Sequence, residues 1–293
     1  MPELPEVETI RRSLSRAIIG ARVANVTVAR RGYITGVASA RALLLDGVVT
    51  RVDRRGKQLA IVADNGRSLC LHLGMSGQVL VHADARTPDP PHTHVRWRLK
   101  PTDGPAVVMV MRDPRRFGGV WTFPTFSALA AARWSQLGPD ALTIDEADLS
   151  RLLRCTRRAV KAALLDQRLL ASVGNIYADE SLHRARIHPE HPASRLSRRR
   201  AFVLAAAIRQ TLRIAVNAKG STIRDYRDAT GQLGGYYPHR LVYGRAGEPC
   251  PTCGRSLHHG VVAQRTTVWC ARCQPRPRGK KHTVFPQRSP GCP

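Results

Sequence analysis

The N-terminus of the chain, Met1-Pro2-Glu3-Leu4-Pro5-Glu6, combines residues that could carry out covalent chemistry. A small second residue permits removal of the initiator methionine, and this would leave Pro2 with a free secondary amine. Terminal amines have pKa values of ~7.7–8.0, against ~10.4 for lysine, so far more of the amine is neutral at pH 7. A neutral amine can attack an aldehyde-like carbon and form an iminium. Pro2 is therefore a candidate nucleophile, and the alternative is that the two prolines only stiffen the entrance to a helix.

Four of the seven cysteines form two C-x2-C pairs, Cys250 with Cys253 and Cys270 with Cys273, separated by sixteen residues. Each pair can turn two thiolates toward one point, and two such pairs complete a tetrahedral zinc site. Four sulfur ligands leave no open position, so the predicted zinc ion is structural rather than catalytic. The two histidines between the pairs, His258 and His259, are interpreted as solvated loop residues because the cysteines already fill the site.

Three further segments place a cation, a flexible apolar side chain or an aromatic ring in a predicted turn. Taken singly, each has an ordinary structural explanation: the lysine could be solvated, the methionine could lie in the core and the arginine could form a salt bridge. Together they suit an enzyme that extrudes a base from a duplex, because apolar wedges fill the gap and arginine contacts the orphaned partner base. The segments are Arg55–Leu59 with Lys57, His72–Gly77 with Met75, and Asp113–Gly118 with Arg115 and Phe117.

The charge of the chain predicts a polyanionic partner. Lys and Arg number 47 against 21 acidic residues, which gives a net charge of +26 and a pI near 11.3. Binding to nucleic acid would release phosphate counterions, which favours association. An anionic membrane surface is the rival partner, but no basic amphipathic helix stands out and no apolar run reaches about 18 residues. With no signal peptide in evidence, we expect a cytoplasmic protein without membrane association.

The spacing of apolar residues predicts an α+β chain in which strands precede helices. Helical spacing near the N-terminus predicts a first helix over residues 5–19, and turn-bounded β-rich runs then predict a β-sandwich or barrel. Beyond Cys273 the chain carries cations without an acid, so this tail is predicted to be disordered. The predicted strands cover residues 23–28, 48–52, 59–63, 69–73, 95–99 and 107–111, and the later helices 148–165, 176–185 and 197–218.

Taken in order, these motifs resemble the formamidopyrimidine-DNA glycosylases of the Fpg/Nei family. The resemblance covers about residues 1–274, and the joint order of the motifs is highly specific. It implies an N-terminal catalytic β-sandwich domain with flanking helices (1–137), a helical helix-two-turn-helix domain (138–235), a zinc-finger β-hairpin (236–274) and a basic tail (275–293). The motifs are Met1–Arg12, His72–Gly77, Asp113–Gly118, Val173–Glu180, Gly220–Tyr226, Val242–Arg245 and the four-cysteine finger.

The resemblance also implies a role for each matching residue. Pro2 corresponds to the amine that attacks C1′ of the damaged nucleoside, and Glu3 to the carboxylate that handles protons at the sugar. Lys57 corresponds to the lysine of β-elimination and phosphate contact, and Arg265 to the finger arginine linked to phosphate binding and δ-elimination. Residues implied in DNA binding are His72, Met75, His92, Arg115, Phe117, Asn175 and Arg158. The loop implied to close over the extruded base includes Ser221, Thr222, Arg224 and Tyr226.

The implied activity is a metal-independent base excision followed by cleavage of the strand at the abasic site, in double-stranded DNA and by a monomer. Leu4 and the Arg115-Arg116-Phe117 turn resemble the branch that removes 8-oxoguanine and formamidopyrimidines opposite cytosine. Two alternatives stay open at this point. One is the endonuclease VIII branch, which prefers oxidised pyrimidines, and the other is a non-catalytic nucleic-acid-binding regulator with a zinc hairpin.

Overall fold

The computed structural model describes residues 2–222 and 226–277. The chain divides into two compact units, one formed by Met1–Leu137 and Ala215–Tyr237, the other by Gly138–Ile214 and Pro238–Pro293. Met1, residues 223–225 and most of the basic tail lie outside the described residues. The α+β class is confirmed, whereas the predicted domain boundaries stay a prediction, because these units group residues by contact alone. No helix of the described part is long and apolar enough to cross a bilayer.

Two sheets form the first unit and confirm the predicted β-sandwich. One has the strand order β1-β7-β8-β6, and the other β2-β9-β5-β4-β3. All pairings are antiparallel except that β2 runs parallel to β9. Side chains of both sheets share one core, for example Trp97 of the first and Leu71 of the second. The strands are β1 Arg22–Val28, β2 Ile34–Thr35, β3 Val49–Arg55, β4 Gln58–Ala63, β5 Ser68–His72, β6 Gln78–His82, β7 Thr93–Lys100, β8 Val107–Arg112 and β9 Gly119–Phe123.

The first helix, α1 (Leu4–Ile18), covers this sandwich with one apolar face. Val7, Ile10, Leu14 and Ile18 recur three or four residues apart, are almost fully buried and belong to the same core as the sheets. Because this packing fixes α1, it also restricts the positions of Pro2 and Glu3, which directly precede the helix. After β9 in the sequence, α2 (Phe126–Leu129) continues as a π turn over Ala130–Trp134.

Four helices dominate the second unit, and the predicted single helix over residues 148–165 is wrong. The Thr156 hydroxyl accepts a hydrogen bond from the Arg158 N–H at 3.3 Å, a local bond that competes with helix continuation. A separate helix begins at Val160, whose N–H donates a hydrogen bond to the His191 carbonyl at 2.7 Å. This bond satisfies one of the backbone donors in the first turn of that helix. The helices are α3 Glu146–Arg154, α4 Val160–Leu165, α5 Asn175–Arg184 and α6 Arg198–Asn217, the last of which ends within the first unit.

A two-stranded hairpin, β10 (His258–Val262) and β11 (Arg265–Trp269), completes the second unit and is held against α5. The buried Glu180 carboxylate accepts hydrogen bonds from the backbone N–H groups of Leu241, Val242 and Tyr243 at 2.7–2.9 Å. Its neighbour Asp179 accepts from the Val268 N–H at 3.1 Å. Two adjacent carboxylates of one helix therefore fix the segment that leads into the hairpin and the hairpin itself.

In the first unit, the Glu8 carboxylate of α1 binds three arginines, of which Arg54 joins the helix to β3. It accepts hydrogen bonds from Arg11 at 2.8 Å, Arg12 at 2.9 Å and Arg54 at 3.0 Å. Burial alone would raise the pKa of Glu8, but these arginines outweigh it and lower the pKa from 4.5 to about 2. The ionised form is therefore favoured by the folded state.

Replacing Glu8 by glutamine should flatten the dependence of stability on acid pH. A lowered folded pKa means that the contribution of Glu8 is fully present above pH 4.5 and is lost as the pH falls through about 2. Arg11 and Arg12 are partly exposed, so solvent screening limits the contribution to ~1–2 kcal/mol. Denaturant unfolding at about pH 7 and about pH 3 measures it. The control is E248Q, which removes an exposed partner of Arg245. Equal acid sensitivity of parent and E8Q would contradict this account.

Candidate active site and metal centre

Pro2 and Glu3 are buried at the start of α1, and the carboxylate of Glu6 fixes their position. Glu6 Oε2 accepts a hydrogen bond from the Glu3 N–H at 2.8 Å, and Oε1 accepts one from the Ser221 N–H at 2.7 Å. Glu6 is only 1% exposed. One buried side chain thus joins the terminal segment to the loop that begins at residue 221. Glu6 had no role in the sequence-based interpretation, although its position three residues after Glu3 is the spacing of a capping box.

The loop that follows α6 packs on the first turns of α1. Ser221 is buried, and the Thr222 hydroxyl donates to the Tyr226 carbonyl at 2.9 Å while it accepts from the Gly234 N–H at 2.8 Å. The Tyr226 hydroxyl lies 3.4 Å from the Glu6 carbonyl, and burial raises the pKa of Tyr226. Three of the four predicted loop residues therefore lie together near Glu6, and Arg224 lies outside the described residues.

Lys57 and His72 lie at neighbouring positions of the second sheet, Lys57 in the turn before β4 and His72 at the end of β5. Lys57 occupies the turn between β3 and β4 and is 9% exposed, while Gln58, the next residue, pairs with His72. Burial, with the positive charges of Arg133 and Lys57, lowers the pKa of His72 to about 4, so the ring is neutral at pH 7. Its Nδ1 accepts from the Gly74 N–H at 3.3 Å. The ring proton then resides on Nε2, where it can be donated to an anion such as a phosphate.

The predicted wedge residues lie on two loops in direct contact. Met75 is 44% exposed and Phe117 55% exposed, and the Arg115 guanidinium lies 4.8 Å from the centre of the Phe117 ring. A Cβ at Gly74, whose φ is +57°, would lie 2.3 Å from the carbonyl carbon of Phe117. A Cβ at Gly118 would lie equally close to the carbonyl oxygen of His72. The glycines let these loops pack together and present exposed apolar groups side by side.

The buried carboxylate of Asp113 holds the two wedge loops together. Its Oδ1 accepts from the Ser76 hydroxyl at 2.6 Å, and its Oδ2 accepts from the Tyr33 hydroxyl at 3.1 Å and the Gly118 N–H at 2.8 Å. Its own N–H donates to the carbonyl of His92, an exposed residue with φ of +66°. The sequence places Asp113 in the Asp113–Gly118 motif. Its role in holding the loops could not be inferred from that motif, because its partner Tyr33 is eighty residues away.

In the second unit, Asn175 binds the backbone next to Arg265 at the start of β11. Asn175 begins α5, and its Nδ2 donates to the Thr266 carbonyl at 3.0 Å. The Lys161 ammonium donates to the same carbonyl at 3.1 Å and to the Thr267 hydroxyl at 2.7 Å. Arg265, which begins β11, is exposed beside these anchored residues. The hairpin therefore presents Arg265 from a fixed backbone.

Arg158, another predicted DNA-binding residue, has different neighbours. Its guanidinium donates to Asp166 at 2.9 Å and to the Thr156 hydroxyl at 3.1 Å. Its side chain is half-exposed. Both of these guanidinium partners lie within eight residues of Arg158, and the Asp166 carboxylate already compensates its charge.

The sulfur atoms of Cys250, Cys253, Cys270 and Cys273 lie within 4.8 Å of one another. The distances from Cys250 to Cys273 and from Cys253 to Cys270 are 3.9 Å and 3.5 Å. Tetrahedral zinc with Zn–S bonds of ~2.3 Å places its sulfurs ~3.8 Å apart, so the four cysteines fit one structural ion. His258 and His259 are exposed as predicted and lie outside the group of four sulfurs, but they belong to β10 rather than to a loop.

Replacing Asp113 by asparagine should release the two wedge loops. An amide has one acceptor oxygen, so donors that now share a carboxylate lose partners, at a cost of ~2–4 kcal/mol. Denaturant unfolding measures this loss, and faster hydrogen exchange at residues 74–77 and 115–118 would locate it. The matched control is D103N, at an exposed turn position. Unchanged stability and unchanged exchange in D113N would contradict the assigned role.

Removing zinc should unfold the hairpin and leave the first unit folded. Four thiolates without a metal lose the interaction that fixes the two cysteine turns. We expect one zinc ion per chain by elemental analysis, and its removal by a chelator should expose the amides of β10 and β11 to exchange while β7 and β8 stay protected. C253S should lose zinc, whereas C70S, at a buried position of β5, should retain it. Retention of zinc by C253S would contradict the assignment.

Three family models match the chain in order. They are the formamidopyrimidine-DNA glycosylase N-terminal domain over residues 1–120, the formamidopyrimidine-DNA glycosylase H2TH domain over 137–227, and the zinc finger found in FPG and IleRS over 247–276. Among curated relatives, a formamidopyrimidine-DNA glycosylase of Xanthomonas campestris is 42% identical over 278 residues, covering 94% of this chain and 100% of the relative. One of Desulfitobacterium hafniense is 39% identical over 280 residues, with the same coverage.

Solved structures agree with these sequence relatives. The MutM (Fpg) protein from Thermus thermophilus has a TM-score of 0.82 and 38% identity, covering 93% of this chain and 98% of its own. The Lactococcus lactis Fpg, solved in complex with DNA that contains an abasic site, has a TM-score of 0.84 and 31% identity, covering 94% and 100%. With all three models matched in order and relatives similar over nearly their whole length, the chain belongs to the formamidopyrimidine-DNA glycosylase family.

Proposed function

We propose that the chain is a bifunctional DNA glycosylase and abasic-site lyase of base excision repair that removes 8-oxoguanine and formamidopyrimidines from double-stranded DNA. Membership of the family supports the reaction class. The observation that carries the proposal is the Glu6 carboxylate, which binds both the Glu3 and Ser221 N–H groups. A terminal nucleophile and a loop suited to an extruded base would therefore be held by the same side chain.

The proposed reaction begins once Met1 has been removed. The Pro2 amine attacks C1′ of the damaged nucleoside, an N–C bond forms, and the bond between C1′ and the base breaks as the base takes up a proton. The sugar ring opens, and the resulting iminium draws electrons and acidifies the neighbouring C2′ proton. Loss of that proton expels the 3′ phosphate, and a second elimination expels the 5′ phosphate. Glu3, buried beside Pro2, is proposed to transfer protons at the sugar.

The cations and polar groups around the site are proposed to bind the phosphates of the damaged strand. Lys57 would supply a charge and assist β-elimination, and the neutral His72 would donate from Nε2. In the second unit, Asn175 and Arg265 would contact phosphates from the anchored end of the hairpin. Arg158 is a weaker element of this proposal, since Asp166 already compensates its charge.

Met75, Arg115 and Phe117 are proposed to enter the duplex where the damaged base leaves it. Met75 and Phe117 are exposed although apolar, and such side chains can fill the space of an extruded base. Arg115, stacked against Phe117, would contact the orphaned cytosine. Exposed His92, whose carbonyl accepts from Asp113, is proposed as a backbone-binding residue at the same loops. We further propose that the protein acts as a monomer in the cytoplasm of a bacterium, associated with DNA.

Borohydride trapping tests the proposal directly. The protein is mixed with a duplex containing 8-oxoguanine opposite cytosine, the iminium is reduced, and the adduct is mapped by peptide mass spectrometry. We expect a covalent bond at Pro2, and its yield from the lesion should fall in E3Q by ~100-fold, as expected for loss of a proton-transfer group. The exposed variant E248Q should trap as the parent does.

The other outcomes separate the alternatives. Trapping with an abasic-site duplex and with an oxidised-pyrimidine duplex, but not with 8-oxoguanine, would retain the lyase and move the substrate to the endonuclease VIII type. Absence of an adduct with all three duplexes would leave a nucleic-acid-binding regulator and contradict the enzymatic proposal.

A further inference from the structure

His183 lies on α5, and its imidazole contacts the zinc site without belonging to the set of four cysteines. The residue is 3% exposed, and its Nε2 lies 3.4 Å from the sulfur of Cys250. The other ring nitrogen, Nδ1, has no hydrogen-bond partner among the described residues. The Cys250 sulfur is thus the polar group to which this buried ring is directed.

The direction of the hydrogen bond follows from the chemistry of the site. A cysteine that binds zinc does so as a thiolate, which carries no proton and can only accept. The proton between the two atoms must therefore be carried by Nε2. Hydrogen bonds of this kind orient a metal ligand and tune its donor strength, and their loss commonly weakens metal binding.

His183 also stands on the helix that anchors the hairpin. Its neighbours on α5 are Asp179, which accepts from the Val268 N–H, and Glu180, which accepts from three successive N–H groups of residues 241–243. These two carboxylates accept hydrogen bonds from backbone N–H groups, whereas the His183 ring contacts the sulfur of Cys250, a predicted zinc ligand. The helix therefore contacts both the peptide framework of the hairpin and its metal centre.

We propose that His183 is a positioning residue of the zinc site, which donates from Nε2 to the Cys250 thiolate and so links zinc retention to the seating of the hairpin on α5. The ring is not a fifth ligand or a replacement ligand, because the ligand atoms that lie within 4.8 Å of one another are the four sulfurs alone among the described residues. The proposal concerns the metal centre and does not depend on the proposed DNA reaction.

The rate of zinc transfer to a colorimetric chelator, measured on the full zinc-loaded chain without DNA, tests the proposal. H183F removes the donor and keeps a ring, and it should release zinc ~10-fold faster or more. H183Q should restore the parent rate, because the glutamine amide can occupy the place of Nε2. H188F is the matched control, since His188 is also buried in the second unit but packs on Trp269 rather than on a thiolate.

Parent-like zinc release from H183F, or equal acceleration in H183F and H188F, would overturn the proposal. If H183F fails to fold, H183Q is compared with H183N, whose amide reaches only the place of Nδ1; equal rates would overturn the proposal as well. Cobalt-loaded parent and H183F should share one tetrathiolate absorption spectrum. A change that shows loss of a nitrogen ligand would instead make His183 a ligand and contradict the proposed role.

Discussion

The carboxylate of Glu6 is the interaction on which the candidate active site depends. Its two oxygens accept the N–H groups of Glu3 and Ser221, which are 218 residues apart in the sequence. A carboxylate accepts such bonds more strongly than a neutral group, and burial excludes water that would compete for it. The positions of Glu3 and of Ser221 therefore follow from one side chain at the first turn of α1.

Buried carboxylates act in the same way at two other places in the structure. Asp113 holds the two wedge loops, and Asp179 and Glu180 hold the hairpin that bears Arg265. In a chain with 21 acids and 47 lysines and arginines, these acids accept hydrogen bonds from backbone N–H groups, while cations such as Arg115 and Arg265 stay exposed. Loops that are already fixed lose less conformational entropy on binding, which lowers the free-energy cost of binding.

Much of this organisation could be predicted from the sequence, because it is encoded locally. The apolar spacing of α1, six strands of the sandwich and the two C-x2-C pairs all depend on nearby residues. The short strands β2, β6 and β9 were missed, since runs of two to five residues beside glycines carry a weak pattern. The break between α3 and α4 was also missed, because a carbonyl of the distant His191 satisfies the start of α4.

The roles of Glu6, Asp113 and His183 could not be predicted for a related reason. Each side chain contacts a partner between 5 and 215 residues away. A motif can identify such a residue, but it does not identify the partner that the side chain binds. Helical spacing placed α5 correctly but could not show that its buried face meets a zinc ligand. The family resemblance implies which residues contact DNA, and the structure adds the side chains that hold those residues in place.

Single-turnover cleavage of an abasic-site duplex by E6Q tests the central claim most directly. Glutamine has one acceptor oxygen in place of two, so either the Glu3 or the Ser221 N–H loses its partner. We predict cleavage slower by ~10-fold or more, the scale expected when a reacting group is displaced by a fraction of an ångström to an ångström. E8Q, on the same helix but bonded to Arg11, Arg12 and Arg54 rather than to Glu3 and Ser221, should cleave as the parent does. Parental cleavage by folded E6Q would contradict the account, because the terminal nucleophile would then not depend on the Glu6 carboxylate.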